Sequence, residues 1–197
     1  MKGRNMLETE RLLLRPWRAG DVAPFVAISA DPAVTEFLPG PLSADEARAL
    51  FTRQNALYEL YGTCYFAAQL KATDELVGFV GVKYVDAMLP FAPCYEVGWR
   101  LGSQWWGAGL ATEGARAALR HGFDKLGLDE IVSFTVPANV RSRRVMERLG
   151  MVRDVAGDFD HPALPAGHAL ARHVLYRLGC ARSSGSVPAQ GPTLKLR

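Results

Sequence analysis

The sequence predicts a mixed α/β domain, in which one mixed sheet of about seven strands is flanked by about four helices. Three observations carry this. Two β-rich runs, TCYFAAQL at 63–70 and ELVGFVGVKYV at 75–85, are joined by the turn-like KATD, as in an antiparallel hairpin. Helical apolar periods run through 47–61 and 110–126. The continuously apolar IVSFTV, 131–136, then lies between two helical segments, as a buried central strand does.

In chain order, LETERLLLR at 7–15 reads as a first strand that stops at Pro16. AGDVAPFVAISAD is a short helical segment closed by Pro32. Ser43 followed by Glu46 is a capping-box pattern. It opens a helix with apolar residues at Ala47, Leu50, Phe51, Leu57, Leu60 and Tyr61, ended by Gly62. After the hairpin, the loop DAMLPFAP leads to the strand YEVGWRL at 95–101. A helix from about Leu110 to Leu126 ends at Gly127, and Asn139 caps another that closes at Gly150. MVRDV and RHVLYRL are the last two strand candidates. From Arg182 onward periodicity gives way to Ser, Gly and Pro, so residues 7–178 are expected to form one domain and 182–197 a loose tail.

Composition limits the function classes. The chain is 49% hydrophobic and 22% charged, ordinary for a globular protein. Its apolar runs are too short to cross a bilayer, and the charged opening MKGRNMLETERLLLRPW lacks a signal-peptide core. A cytoplasmic protein with no membrane partner is expected. The net charge of +3 allows an anionic ligand but does not call for nucleic acid. Cys64, Cys94 and Cys180 match neither a disulfide framework nor a metal motif, so reduced thiols and no metal are expected.

The segment WRLGSQWWGAGLATEG, 99–114, sets glycines immediately before a helix. Unpaired N–H groups at a helix start, with the macrodipole, attract an anion. Gly107 and Gly109 would let phosphate oxygens approach the backbone. The Walker pattern is absent because no Lys follows, and GxGxxG fails because Thr112 stands at its third glycine. On spacing alone, the glycines either bind a diphosphate or let the helix pack tightly on the strand.

YEVGWRLGSQWWGAGLATEGARAAL, followed by NVRSRRVMERLGM, resembles the GCN5-related N-acetyltransferase (GNAT) superfamily. With LETERLLLRPW, DPAVTEFLPGPLSADEA and FDHPALPAGHALARHVLYRL, it resembles in particular the RimJ/RimL-like branch. The resemblance implies a mostly antiparallel GNAT sheet and an acetyl-CoA-dependent transferase, an N-acetyltransferase of the acyltransferase class. Its acceptor would be a primary amine, either a protein N-terminus or a small molecule. A non-catalytic CoA-binding module on the same fold is the alternative.

The family loop pattern [QR]xxGx[GA] maps onto Trp106, Gly109 and Ala111, with Trp106 replacing the usual Gln or Arg. The resemblance therefore implies cofactor contacts from Trp106, Gly107, Ala108, Gly109, Leu110, Ala111 and Thr112, and from the strand at Trp99 and Leu101. It also implies contacts from Asn139 and Ser142 in NVRS. Many members carry a Tyr seven residues after this Asn; here Met146 stands there and cannot donate a proton.

Three residues are candidates for the chemistry. Glu96 shares a strand face with Gly98 and Arg100, and is either a general base or a partner for Arg100. Ser142 either protonates the leaving sulfur or helps to cap its helix. His161 either assists deprotonation or is a loop histidine held by the backbone. The spacing of His161, His168 and His173 does not suit a helical metal site. The acceptor pocket is expected from Phe37-Leu38-Pro39, the 86–94 loop and the FDHP loop, with a homodimer through the last strands as an option.

Overall fold

In the computed structural model, the structure describes residues 6–86 and 88–180; the expected tail at 182–197 lies outside these. The first strand-like run is itself a hairpin, β1 (Leu7–Glu8) and β2 (Leu12–Arg15), with Leu7 opposite Leu14. The reason is local. Thr9 Oγ1 accepts from the Leu12 N–H at 2.8 Å while the Thr9 N–H donates to the Leu12 carbonyl at 2.9 Å, which closes a turn. Among the described residues the sheet therefore has eight strands, one more than the seven or so expected.

Pro32 opens a helix rather than only closing one. Between α1 (Val22–Ala30) and the short α2 (Pro32–Thr35), the Asp31 carboxylate accepts from the Ala33 N–H at 2.9 Å. Proline is favoured at that first helical position because its missing N–H would have no partner there. With α2 the α-helices number five among the described residues. The capping box forms at the start of α3 (Ala44–Tyr61), where the Glu46 N–H donates to Ser43 Oγ and the Ser43 N–H donates to Glu46 Oε2. Gly62 ends α3 in the left-handed region, φ 72°.

Next come β3 (Tyr65–Leu70), β4 (Leu76–Val85) and β5 (Cys94–Leu101). After α4 (Leu110–Arg120) the expected helix continues only as a π-helical turn, His121–Lys125. β6 (Glu130–Thr135), α5 (Val140–Arg148), β7 (Val152–Asp160) and β8 (Arg172–Gly179) complete the fold. The sheet order is β1-β2-β3-β4-β5-β6-β8-β7, and its neighbours are antiparallel except for β5 and β6.

Alternation divides the apolar residues between two faces. Phe66, Val80, Val97, Ala115, Ala118 and Ile131 form the core under α4. Tyr65, Ala67 and Phe79 meet Trp17, Phe25 and Phe51 on the other face, under α1 and α3. There Trp17 stacks on Phe51 at 3.9 Å and meets Phe25 edge-on at 5.1 Å.

Candidate active site

The parallel seam between β5 and β6 is short: Glu96 registers with Val132, and no further pair joins them. Beyond that point the strands diverge and open a gap in the middle of the sheet. The Gly102 N–H donates to the Val77 carbonyl on the β4 side. Alternation then turns the main-chain groups of Val97, Trp99 and Leu101 toward the gap. A cleft of about 750 Å³ passes through it, with the α4 start and α5 on one side and α2, Tyr65 and the His161 loop on the other.

On the α4 side, Gly107 and Gly109 both lie in the left-handed region, at φ 77° and 80°. Gly109 is the N-cap of α4 and supplies no capping side chain, so the first-turn N–H groups there have no side-chain acceptor. An added Cβ at Gly107 would meet nothing within 4 Å, so this glycine bears on open space rather than on tight packing. The loop is fixed from behind. Arg11 pairs with Glu113 of α4 at 2.6 Å and donates to the Ala108 carbonyl at 2.9 Å. Trp106 Nε1 donates to the Leu101 carbonyl at 2.9 Å, which ties the loop to the end of β5. The Arg141 guanidinium lies over the Trp106 ring at 4.6 Å.

On α5, Asn139 Oδ1 accepts from the Ser142 N–H at 3.1 Å, and its amide donates to Thr135 Oγ1. Asn139 is thus an N-cap in fact. Ser142 contributes its backbone to that cap, while its hydroxyl has no hydrogen-bond partner among the described residues. Met146 is buried in the core at this end of the cleft, where the sequence lacks a tyrosine.

At the closed end of the gap, Glu96 is buried, and its Oε2 lies 3.1 Å from Lys83 Nζ. Its charge partner is Lys83 on β4, not Arg100. Tyr65 sits beside it. Burial, then the charge of Glu96 and a hydrogen bond to it, push the Tyr65 phenol well above its ordinary range. His161 lies across the cleft, its Nδ1 accepting from the Ala163 N–H at 3.2 Å. Burial and then neighbouring His173 hold its pKa below the ordinary value. Its ring is 5.2 Å from that of His173 and 6.1 Å from that of Phe134.

One cleft thus gathers Glu96, Ser142 and His161 with Trp99, Leu101, Trp106, Gly107, Gly109, Leu110, Ala111, Thr112 and Asn139. Ala108 is the exception: it is absent from the lining and its carbonyl serves Arg11. Phe37, Leu38 and Pro39 line the far side as expected, but no described residue of the 86–94 loop does. Phe91 instead packs against Phe134 and Phe159. Sequence reasoning missed Tyr65 and Lys83, which reach Glu96 only through the pairing of β3, β4 and β5. No group of three or more possible metal ligands occurs among the described residues, and no helix there is long and apolar enough to cross a membrane.

The comparisons agree with this architecture. Over 155 residues the chain is 30% identical to the uncharacterized N-acetyltransferase p20 of Bacillus licheniformis, covering 75% of this chain and 85% of that one. The crystal structure of a GNAT-family acetyltransferase from Bacillus anthracis superposes with a TM-score of 0.73 at 26% identity, covering 89% and 98% of the two chains. Mycobacterium smegmatis RimJ in complex with CoA-disulfide shares the fold at a TM-score of 0.70 and 21% identity, covering 90% and 88%. A family profile described as the acetyltransferase (GNAT) domain matches residues 11–152, and the chain belongs to that family of acetyltransferases.

Proposed function

We propose that this acetyltransferase takes acetyl-CoA as co-substrate and passes the acetyl group directly to a primary amine while both are bound. One observation carries the reading: the gap between β5 and β6 runs from the glycine-led start of α4 to the buried carboxylate of Glu96. The residues suit the co-substrate. Free N–H groups at the α4 start, with open space over Gly107, fit a diphosphate. The main-chain groups of Trp99 and Leu101 fit the amide-bearing arm, and Asn139 holds the α5 start beside it. That RimJ from M. smegmatis is in complex with CoA-disulfide supports the same choice.

In this scheme Glu96 takes the proton that the acceptor amine loses as its nitrogen bonds to the acetyl carbon. Main-chain N–H groups on the open edge of β5 stabilise the charge that builds on the carbonyl oxygen. The carbon–sulfur bond breaks, and Ser142 Oγ hydrogen-bonds or protonates the departing sulfur. His161, uncharged near neutrality because its pKa is lowered, shapes the acceptor side and is the second candidate base. We assign the activity to residues 7–178 as one unit, acting in the cytoplasm. We keep the RimJ/RimL-like branch as a proposal resting on the motifs quoted above.

Thermal unfolding with acetyl-CoA, against ATP and NADH as controls, tests the first step. At about 100 times its dissociation constant a ligand adds roughly 2.7 kcal/mol. For a domain of this size that is a Tm rise of roughly 5–11 °C. A rise with acetyl-CoA alone supports the reading; no rise, or a rise only with ATP or NADH, overturns it. Ser142→Ala is expected to lower kcat roughly 10–100-fold, the worth of a hydrogen bond to a charged group. Single-turnover thiol release reads this directly, and an unchanged rate would leave Ser142 as part of the cap alone.

A further inference from the structure

The acceptor side of the cleft carries a cation with no counter-ion. Arg100 stands on β5 on the same face as Glu96, with Gly98 between them. Its guanidinium makes no hydrogen bond or ion pair with any described residue, and Nη1 is buried without a partner. Its neighbours are ring faces, Phe79 at 5.6 Å and Phe25 at 5.8 Å. Burial lowers its pKa to about 10, so the group is charged at neutral pH. A charge removed from water without a partner is costly, and a bound anion would offset that cost.

The surroundings narrow the anion to one carried by the acceptor. Among the described residues Glu96 is the only carboxylate lining the cleft, and Lys83 already engages it. A polyamine or aminoglycoside would bring several positive charges to a wall that offers no free carboxylate. Between Glu96 and Arg100 the strand has no side chain: a Cβ on Gly98 would come within 2.6 Å of the Tyr65 hydroxyl. The phenol therefore fills the strip between the base and the cation. Phe37, Leu38 and Leu164 add apolar wall.

We propose that Arg100 determines acceptor specificity by pairing with a carboxylate, so that the acceptor is a small amine of amino-acid type with an apolar body. This rests on the acetyl-transfer reading above and adds the substrate class to it.

The test follows thiol release from acetyl-CoA with L-leucine, L-phenylalanine, their amides, phenethylamine and spermidine as acceptors. The acids are expected to exceed the amides and phenethylamine roughly 10–100-fold in kcat/KM, as for a charge-assisted hydrogen bond, with spermidine lowest. Arg100→Met is expected to reduce that preference to about threefold or less by raising KM for the acids, with KM for acetyl-CoA unchanged. Arg100→Lys should restore part of it, which a purely structural arginine stacked on Phe79 would not explain. Amides or spermidine used as well as the acids, or a preference that survives Arg100→Met, overturns the proposal. So does failure of every acid both to turn over and to raise the Tm of the CoA-bound protein. Loss of the acetyl-CoA response itself is a separate readout, and would take down the transferase reading first.

Discussion

Glu96→Gln is expected to lower kcat by about 10²–10⁴-fold, the usual contribution of a positioned general base. Gln keeps the size and shape of the side chain and removes the proton-accepting carboxylate. The same change leaves the α4 loop untouched, so acetyl-CoA should raise the Tm as it does for the parent protein. Lys83 complicates the variant, because its ammonium then loses the partner at 3.1 Å. Glu96→Gln combined with Lys83→Met removes both charges and separates the two effects. If kcat stays low in the pair while the Tm is recovered, the lost base accounts for the rate. A single variant with kcat within about threefold of the parent would instead move the base to His161, well short of the span a general base supplies. His161→Ala would then be the variant to measure.

Asp21→Ala is expected to cost about 3–5 kcal/mol, because it strands a buried guanidinium. Arg15 and Asp21 face one another through two hydrogen bonds of 2.8 Å, with side chains 5% and 7% exposed. Asp21 Oδ2 also accepts from the Arg18 N–H at 2.7 Å, so one carboxylate ties β2 to the turn that begins α1. At roughly 2–4 °C per kcal/mol, the expected fall in Tm is roughly 6–20 °C. Asp21→Leu with Arg15→Met, which removes both charges, should lose much less. Equal losses in the single and double variants would mean that packing, not the unpaired charge, sets the cost. The pair matters for the site as well, since Phe25 of α1 lies under the Arg100 guanidinium and Ala33 and Val34 of α2 line the cleft.

Local signals were the legible ones. The Ser43–Glu46 box, the Asn139 cap, the KATD hairpin and the glycines before α4 each act within a few residues, and each appears where the sequence puts it. Local chemistry also explains the misreadings of the early chain. Thr9 turns back on Leu12 and splits the first strand, while Asp31 caps a helix that a rule treating proline only as a terminator would not expect. The proline-containing 86–94 loop was expected at the acceptor pocket. Phe91 instead packs on the aromatic group at Phe134 and Phe159, a burial that spacing cannot announce.

By itself the sequence determined the mixed sheet with its helices, the glycine-led start of α4, the capped start of α5 and the presence of a carboxylate on β5. These depend on period, capping and backbone freedom, which are properties of neighbouring residues. The partners were decided only by the tertiary structure. Lys83 rather than Arg100 meets Glu96, because antiparallel pairing sets Lys83 opposite it on β4. Arg100 is left among aromatic rings without an anion because β5 turns it toward Phe25 and Phe79. Such pairings follow from strand register and from the packing of distant segments. An interaction across many residues of chain leaves no mark at either end, until the fold brings the two ends together.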